Sequence, residues 1–285
     1  MQEKAPAKIN LTLDILGRRP DGYHELRMVM QAVSLHDTLT VEETGCGFNL
    51  LADGFTIPDG KKSMEQQAAE AFFDAIGQPM PPLSVYLKKV TPAYAGLGGG
   101  SADVAALLRC LRRRYAPDMT VEQLRSIGLT VGSDIPFCIS GGTALAEGRG
   151  EKLTSLPGLP ECWIVLCKPD FGIPTSTLFA LADGAHLSRR PDTDGMIQAL
   201  QTGSLDGVAS RLSNVFEELL PEEYREVFQI RKQLLEAGAM NAAMSGSGPT
   251  VYGVFREEAK AKAAADVLKQ RYVQTCLAEP VGNLV

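Results

Sequence analysis

Pro92-Ala93-Tyr94-Ala95-Gly96-Leu97-Gly98-Gly99-Gly100-Ser101-Ala102-Asp103 is the most unusual stretch of this 285-residue chain. Glycines at 96, 98, 99 and 100 let the backbone come close to a ligand with several N–H groups exposed. Upstream, Leu83, Val85 and Leu87 alternate as a strand. Downstream, Ala102 to Tyr115 favours a helix, with Val104, Leu107, Leu108 and Leu111 on one side. Arg112, Arg113 and Arg114 stand at its C-terminal end, where cations suit the macrodipole. A glycine run that opens a helix is built to hold phosphate on backbone N–H groups and the positive helix end; a flexible surface loop is the alternative. Two standard phosphate motifs do not apply. No G-x-x-x-x-G-K-[ST] occurs, and Ser101 stands where the dinucleotide fingerprint has its last glycine.

On the N-terminal side, Ile9, Leu11, Leu13 and Ile15 alternate with Asn10, Thr12 and Asp14, which predicts a strand with one buried face and with Lys8 and Asn10 on its polar face. It runs into the turn cluster Gly17-Arg18-Arg19-Pro20-Asp21-Gly22, which delivers Tyr23 and His24 in a candidate binding loop. Ser63-Met64-Glu65-Gln66 reads as a capping box before a helix ending at Gly77, and Thr120-Val121-Glu122-Gln123 as a second box before a shorter helix. Another glycine-bearing turn follows, Val131-Gly132-Ser133-Asp134-Ile135-Pro136-Phe137.

Beyond a linker at Pro157-Gly158-Leu159-Pro160, the order is strand (Trp163 to Cys167), helices, strand (about Ala239 to Met244), strand (Val251 to Phe255), helix (Glu257 to Tyr272) and a last short strand. Apart from extra helices this is the split β-α-β-β-α-β order of a ferredoxin-like domain. At roughly 150 residues per domain the length suggests about two domains, divided here as 1–157 and 158–285. Forty-five per cent hydrophobic and 22% charged residues exclude disorder and coiled coil. A net charge of −6 predicts no broad basic surface for nucleic acid, so an anionic substrate must be met locally. The cysteines at 46, 110, 138, 162, 167 and 276 form no metal or redox motif, and His24, His36 and His186 are too scattered to argue for a metal. With no signal peptide and no membrane span, a cytoplasmic protein with reduced thiols is expected.

Position alone leaves Lys8 open between a snorkelling surface lysine and a catalytic group, and Asp134 between a turn residue and a catalytic one. Ser245-Gly246-Ser247-Gly248-Pro249, between two strands, is either a hairpin loop or a contact to phosphate or substrate.

The segment from Pro92 to Asp103 resembles the central ATP-binding motif of the GHMP kinases, the group that contains galactokinase, homoserine kinase and mevalonate kinase. Ala7-Lys8-Ile9-Asn10-Leu11, Arg19-Pro20-Asp21-Gly22-Tyr23-His24-Glu25-Leu26, Gly132-Ser133-Asp134-Ile135-Pro136-Phe137 and Met244-Ser245-Gly246-Ser247-Gly248 narrow the resemblance to one member. The acceptor of that member is a methylerythritol carrying a cytidine diphosphate group, and the matches run in order from near residue 5 to about residue 255. The resemblance implies a two-domain α+β fold, the first domain like domain 2 of ribosomal protein S5 and the second ferredoxin-like, closing over a cleft. It implies transfer of the ATP γ-phosphate to the acceptor's 2-hydroxyl, on the non-mevalonate route to isoprenoid precursors.

Lys8 and Asp134 match the family's catalytic pair. Pro92, Gly96, Leu97, Gly98, Gly99, Gly100 and Ser101 match its ATP-binding segment, with Mg²⁺ bridging the triphosphate oxygens and no metal ligand assigned to the chain. Tyr23 and His24, with Asn10 nearby, match the cytosine pocket; Phe179 matches the aromatic on the opposite ring face, and Thr175 a polar contact to the acceptor. The partner expected is this small molecule, with no nucleic acid and no membrane, bound by a monomer or weak homodimer. Rival readings are another kinase of the group, of homoserine or mevalonate type, and a non-catalytic nucleotide-binding sensor. The chain departs from the pattern at Ala102, where a second serine is usual, at the bulky Ala93-Tyr94-Ala95, and at Val215, where Asp is common.

Overall fold

A computed structural model describes residues 1–53 and 61–285. Its first part runs β1 (Gln2–Arg18), β2 (His24–Glu42), β3 (Phe48–Ala52), α1 (Met64–Ala75), β4 (Leu83–Lys88), α2 (Gly99–Tyr115), α3 (Val121–Leu129), α4 (Ile135–Ser140), β5 (Thr143–Gly148) and β6 (Lys152–Leu156). The second runs β7 (Trp163–Lys168), α5 (Thr175–Ala182), α6 (Thr193–Gln201), α7 (Leu205–Ala209), β8 (Ser213–Asn214), α8 (Glu226–Glu236), β9 (Asn241–Met244), β10 (Val251–Phe255), α9 (Glu258–Lys269) and β11 (Gln274–Ala278).

One sheet has the order β3-β4-β2-β1-β8, with β5 pairing along β2 and β6 along β5. The other has the order β11-β7-β10-β9, every pair antiparallel. Counted within their own sheet, these strands lie fourth, first, third, second, the ferredoxin-like arrangement that the strand and helix order predicts. Between the sheets, 157–162 carries no regular structure. Backbone pairing crosses between the halves where Ser213–Asn214 runs parallel to Thr12–Leu13, and where the tail returns to the first half, with Val33 bridging Pro280 and Gly141 bridging Asn283.

Local signals behave as elementary chemistry dictates. Ser63 Oγ accepts from Gln66 N at 3.0 Å, but the Gln66 side chain donates to Glu70, so only half of the first capping box forms. At Thr120 both halves form, at 2.9 and 3.2 Å. Helix α2 begins at Gly99, three residues before the predicted Ala102, because Gly98 in the left-handed region (φ +68°) turns the chain directly into it.

The expectation for the first strand is corrected. Its alternation predicts one buried face, yet Ala5 to Ile15 is buried throughout, including Lys8, Asn10, Thr12 and Asp14. Ala7, Ile9 and Leu11 pack with Ile164, Leu166, Tyr252 and Val254 of the second half. Over Lys8 the cover is the glycine segment itself: a Cβ on Gly98 would stand 3.0 Å from Lys8 Cγ. A strand buried on both faces needs its polar groups paired, and they are: Asn10 O accepts from Tyr252 Oη at 2.8 Å, and Thr12 Oγ1 accepts from Val29 N at 3.0 Å.

Candidate active site

Lys8 is fixed from two directions. Its backbone N–H donates to Leu97 O at 2.9 Å, stitching β1 to the glycine segment, and its Nζ donates to Asn10 Oδ1 at 2.7 Å. The ammonium points toward Asp134, with Nζ 3.8 Å from Oδ2. Asp134 stands at the N-cap of α4, yet its carboxylate makes no capping bond and stays turned to the site. One group is buried and the other about one-third exposed, which is the arrangement of a proton acceptor reachable by a substrate beside a cation shielded from water.

Two glycine-bearing loops meet at this pair. Gly96 has φ +73°, and a Cβ there would fall 2.0 Å from Ser245 O and 2.9 Å from Gly248 N. Ser245 Oγ donates to Gly96 O at 2.9 Å, and a Cβ on Gly246 would lie 3.1 Å from Lys8 Nζ. The 245–249 segment is therefore a hairpin loop and also the packing partner of the first glycine segment. Asn214 holds it from below, donating to Met244 O and Gly246 O, both at 2.8 Å. Gly100 differs: it is exposed, with no atom within 4 Å of an added Cβ. Gly98 caps α2 with no side-chain bond, and the first intrahelical N–H bond there is Ala102 N to Gly98 O. The N–H groups of Gly99, Gly100 and Ser101 are left at the positive end of a 17-residue helix.

Beneath the loop lies a buried charge cluster. Asp37 Oδ1 accepts from Val90 N at 2.5 Å and Thr91 N at 2.7 Å, and Lys89 Nζ donates to both Asp37 and Asp103. Burial pushes the Asp103 carboxyl up to about 8 against the attraction of Lys89, with Asp37 and Glu65 adding to the rise. The cluster clamps the strand before the glycine segment to the first turn of α2.

A cavity of about 640 Å³ opens beside Asp134. Tyr23, His24, Ser101, Asp134, Thr175 and Phe179 line it together, drawn from positions 156 residues apart. Thr175 Oγ1 lies 2.8 Å from Ser247 Oγ, tying α5 to the second loop. Other expected site residues stand elsewhere. Asn10 is buried behind Lys8, with its Nδ2 on Met28 Sδ at 3.1 Å, and is absent from the lining. Leu97 turns its side chain into the core and contributes its carbonyl, and Pro92 is half-buried ahead of the loop. The aromatic faces of the pocket carry protein groups: the His24 ring stacks on Phe179 (4.8 Å, 24°), and the Arg149 guanidinium lies 4.5 Å from the Tyr23 centroid. His24 Nε2 is 2.9 Å from Asp183 Oδ1, which fastens the end of α5 to the start of β2.

Sequence reasoning missed Arg149, Asp183 and the Asp37–Lys89–Asp103 cluster. Gly148-Arg149-Gly150 was the signal available for the first; the others carry no local pattern. Among the described residues no three His, Cys, Asp or Glu side chains gather as a metal site, and no helix is long and apolar enough to cross a membrane.

Residues 63–142 match the model of the GHMP kinases N terminal domain, and residues 196–274 that of the GHMP kinases C terminal domain. A 4-diphosphocytidyl-2-C-methyl-D-erythritol kinase of Alkaliphilus metalliredigens (strain QYMF) is 38% identical, covering 98% of this chain and 96% of its own. One of Pelotomaculum thermopropionicum (strain DSM 13744 / JCM 10971 / SI) is 42% identical, covering 92% and 91%. A crystal structure of 4-(cytidine 5'-diphospho)-2C-methyl-D-erythritol kinase superposes with a TM-score of 0.82 at 30% identity, covering 99% of this chain and all of that one. Mevalonate kinase from L. major shares the fold, with a TM-score of 0.72 at 16% identity. The chain belongs to the GHMP kinases and, within them, to the 4-diphosphocytidyl-2-C-methyl-D-erythritol kinase family.

Proposed function

We propose that this protein transfers the γ-phosphate of ATP to the 2-hydroxyl of 4-diphosphocytidyl-2-C-methyl-D-erythritol, a step on the non-mevalonate route to isoprenoid precursors. The observation that carries this reading is the approach of Lys8 Nζ to 3.8 Å from Asp134 Oδ2 where the glycine segment meets the cavity. The hydroxyl proton passes to the Asp134 carboxylate as its oxygen bonds the γ-phosphorus, and the bond from that phosphorus to the β-phosphate bridging oxygen breaks, releasing ADP. Lys8 holds both the carboxylate and the nucleophilic oxygen and offsets charge on the moving group. The amides of Gly99, Gly100 and Ser101 take the phosphates, with Gly96, Gly98 and Leu97 shaping the loop and Pro92 leading into it. Charge on the triphosphate would be neutralised further by Mg²⁺ when it is bound. Ser101 Oγ and the Asp134 carboxylate are among the oxygens on the cavity wall that would be open to the ion, and a Mg²⁺ held by phosphates and water would need few protein ligands.

For the acceptor, Tyr23, His24 and Phe179 supply the base-binding wall and Thr175 a polar contact, with Asn10 acting through Lys8 rather than on the base. We place the enzyme in the cytoplasm, where its six unpaired thiols stay reduced, and read it as a monomer or weak homodimer acting on small molecules. An ADP-release assay with ATP and Mg²⁺ tests this, offering the cytidine compound beside homoserine, mevalonate and galactose. Turnover of the cytidine compound alone is expected. Turnover of another acceptor discards the base pocket, and silence on all four favours a nucleotide sensor.

A further inference from the structure

Arg149 does nothing in the mechanism above, yet it sits on the acceptor cavity in a setting built to present it. It occupies the turn between β5 and β6, flanked by Gly148 (φ +73°) and Gly150 (φ +109°). Both glycines hold left-handed backbone that strains any side-chain-bearing residue, and the Glu151 carboxylate and Met28 Cε fill the space beside them, 2.7 and 2.9 Å from an added Cβ. The Glu151 carboxylate accepts the Arg149 backbone N–H at 2.5 Å, which leaves the side chain to project alone.

That side chain is half-buried and lines the cavity with Asp134 and Asp183. Among the described residues no carboxylate lies within ion-pair distance of its guanidinium, which rests instead on the Tyr23 ring at 4.5 Å. Asp21 is near enough to feel its charge, but Asp21 is paired with Arg19. The other basic side chains at the site are engaged: Lys8 by Asn10 and Asp134, and His24 by Asp183. An acidic protein that admits a diphosphate beside two carboxylates must supply a cation there. A guanidinium offers two parallel N–H groups to phosphate oxygens and stacks on an aromatic ring at little entropic cost.

We infer that Arg149 is the residue that binds the diphosphate of the acceptor and so selects a nucleoside diphosphate conjugate over an uncharged polyol. The inference rests on the proposed acceptor and adds a specificity residue to it. The test titrates CDP and cytidine by calorimetry into enzyme saturated with ADP, so that the glycine segment is already occupied. Loss of one charge-assisted phosphate contact corresponds to about 10- to 100-fold in affinity. Wild type is expected to prefer CDP over cytidine by about that factor, Arg149→Met to lose most of the preference with cytidine affinity unchanged, and Arg149→Lys to recover part of it. In turnover, Arg149→Met should raise the acceptor KM and leave the ATP KM alone. The inference is overturned if Arg149→Met keeps the wild-type preference, or if it weakens CDP and cytidine equally, which would make Arg149 only a support for Tyr23. Wild type binding neither ligand would instead overturn the proposed acceptor, and this inference with it.

Discussion

Gly96→Ala and Gly100→Ala change the same segment by the same methyl group, and the structure assigns them opposite consequences. At Gly96 the methyl would arrive 2.0 Å from Ser245 O on a residue already at φ +73°. A left-handed backbone costs a non-glycine residue about 1–2 kcal/mol, and overpacking a closed contact costs about 1–3 kcal/mol. The sum of about 2–5 kcal/mol corresponds to a fall of about 3–8 °C in Tm for a chain of this size. Because the loops separate at Lys8, kcat should drop by about 100-fold, the usual consequence of moving a catalytic group by about 1 Å. At Gly100 no atom lies within 4 Å and no left-handed φ is involved, so replacing a helical glycine should stabilise by about 0.5–1 kcal/mol. If phosphate approaches that face, however, the methyl blocks it and the ATP KM should rise about tenfold, equivalent to about 1.4 kcal/mol. Thermal melts and initial rates over an ATP series measure both variants. A stable Gly100→Ala enzyme with unchanged ATP KM would refute the phosphate role of this face, and an unchanged Tm for Gly96→Ala would refute the packing of loop on loop.

Two further outcomes follow from the same geometry. Asp134→Asn keeps the shape of the α4 N-cap, which uses no bond from this side chain, so ATP binding should persist while turnover falls by at least about 100-fold through loss of the proton acceptor; near-normal turnover would remove Asp134 from that role. Asp103, with its carboxyl pushed up to about 8 from 3.8 by burial, holds a proton when folded that the unfolded chain releases. Its contribution makes stability fall as pH rises between those values and level off above about 8. Asp103→Asn removes that dependence, so the urea midpoint of the variant should gain on wild type from pH 5 to pH 8, and a constant difference across the range would contradict the assignment.

What the sequence by itself determined were features governed by neighbours along the chain. The 96–101 glycines announced a close-approach loop because backbone freedom is a property of each residue, and α2 was readable from the spacing of Val104, Leu107, Leu108 and Leu111. Thr120 with Gln123 marked a helix start for the same reason, since the two groups that satisfy each other lie three residues apart. The strand and helix order after Trp163 implied the ferredoxin-like sheet, and motif resemblance singled out Lys8 and Asp134. Only the tertiary structure decided what those residues touch. Lys8 and Asn10 read as the polar face of a half-buried strand, and they are buried because a loop some 90 residues later folds over them. Lys89 gives no local sign of its two carboxylate partners, and the tail beyond β11 none of its return to β2 and α4. Gly148-Arg149-Gly150 reads as a turn and nothing more until Tyr23 is placed beneath the guanidinium. Periodicity and capping are written in dihedral preferences and short spacings, whereas burial, ion pairing and approach to a ligand depend on surfaces that exist only once the two sheets have met.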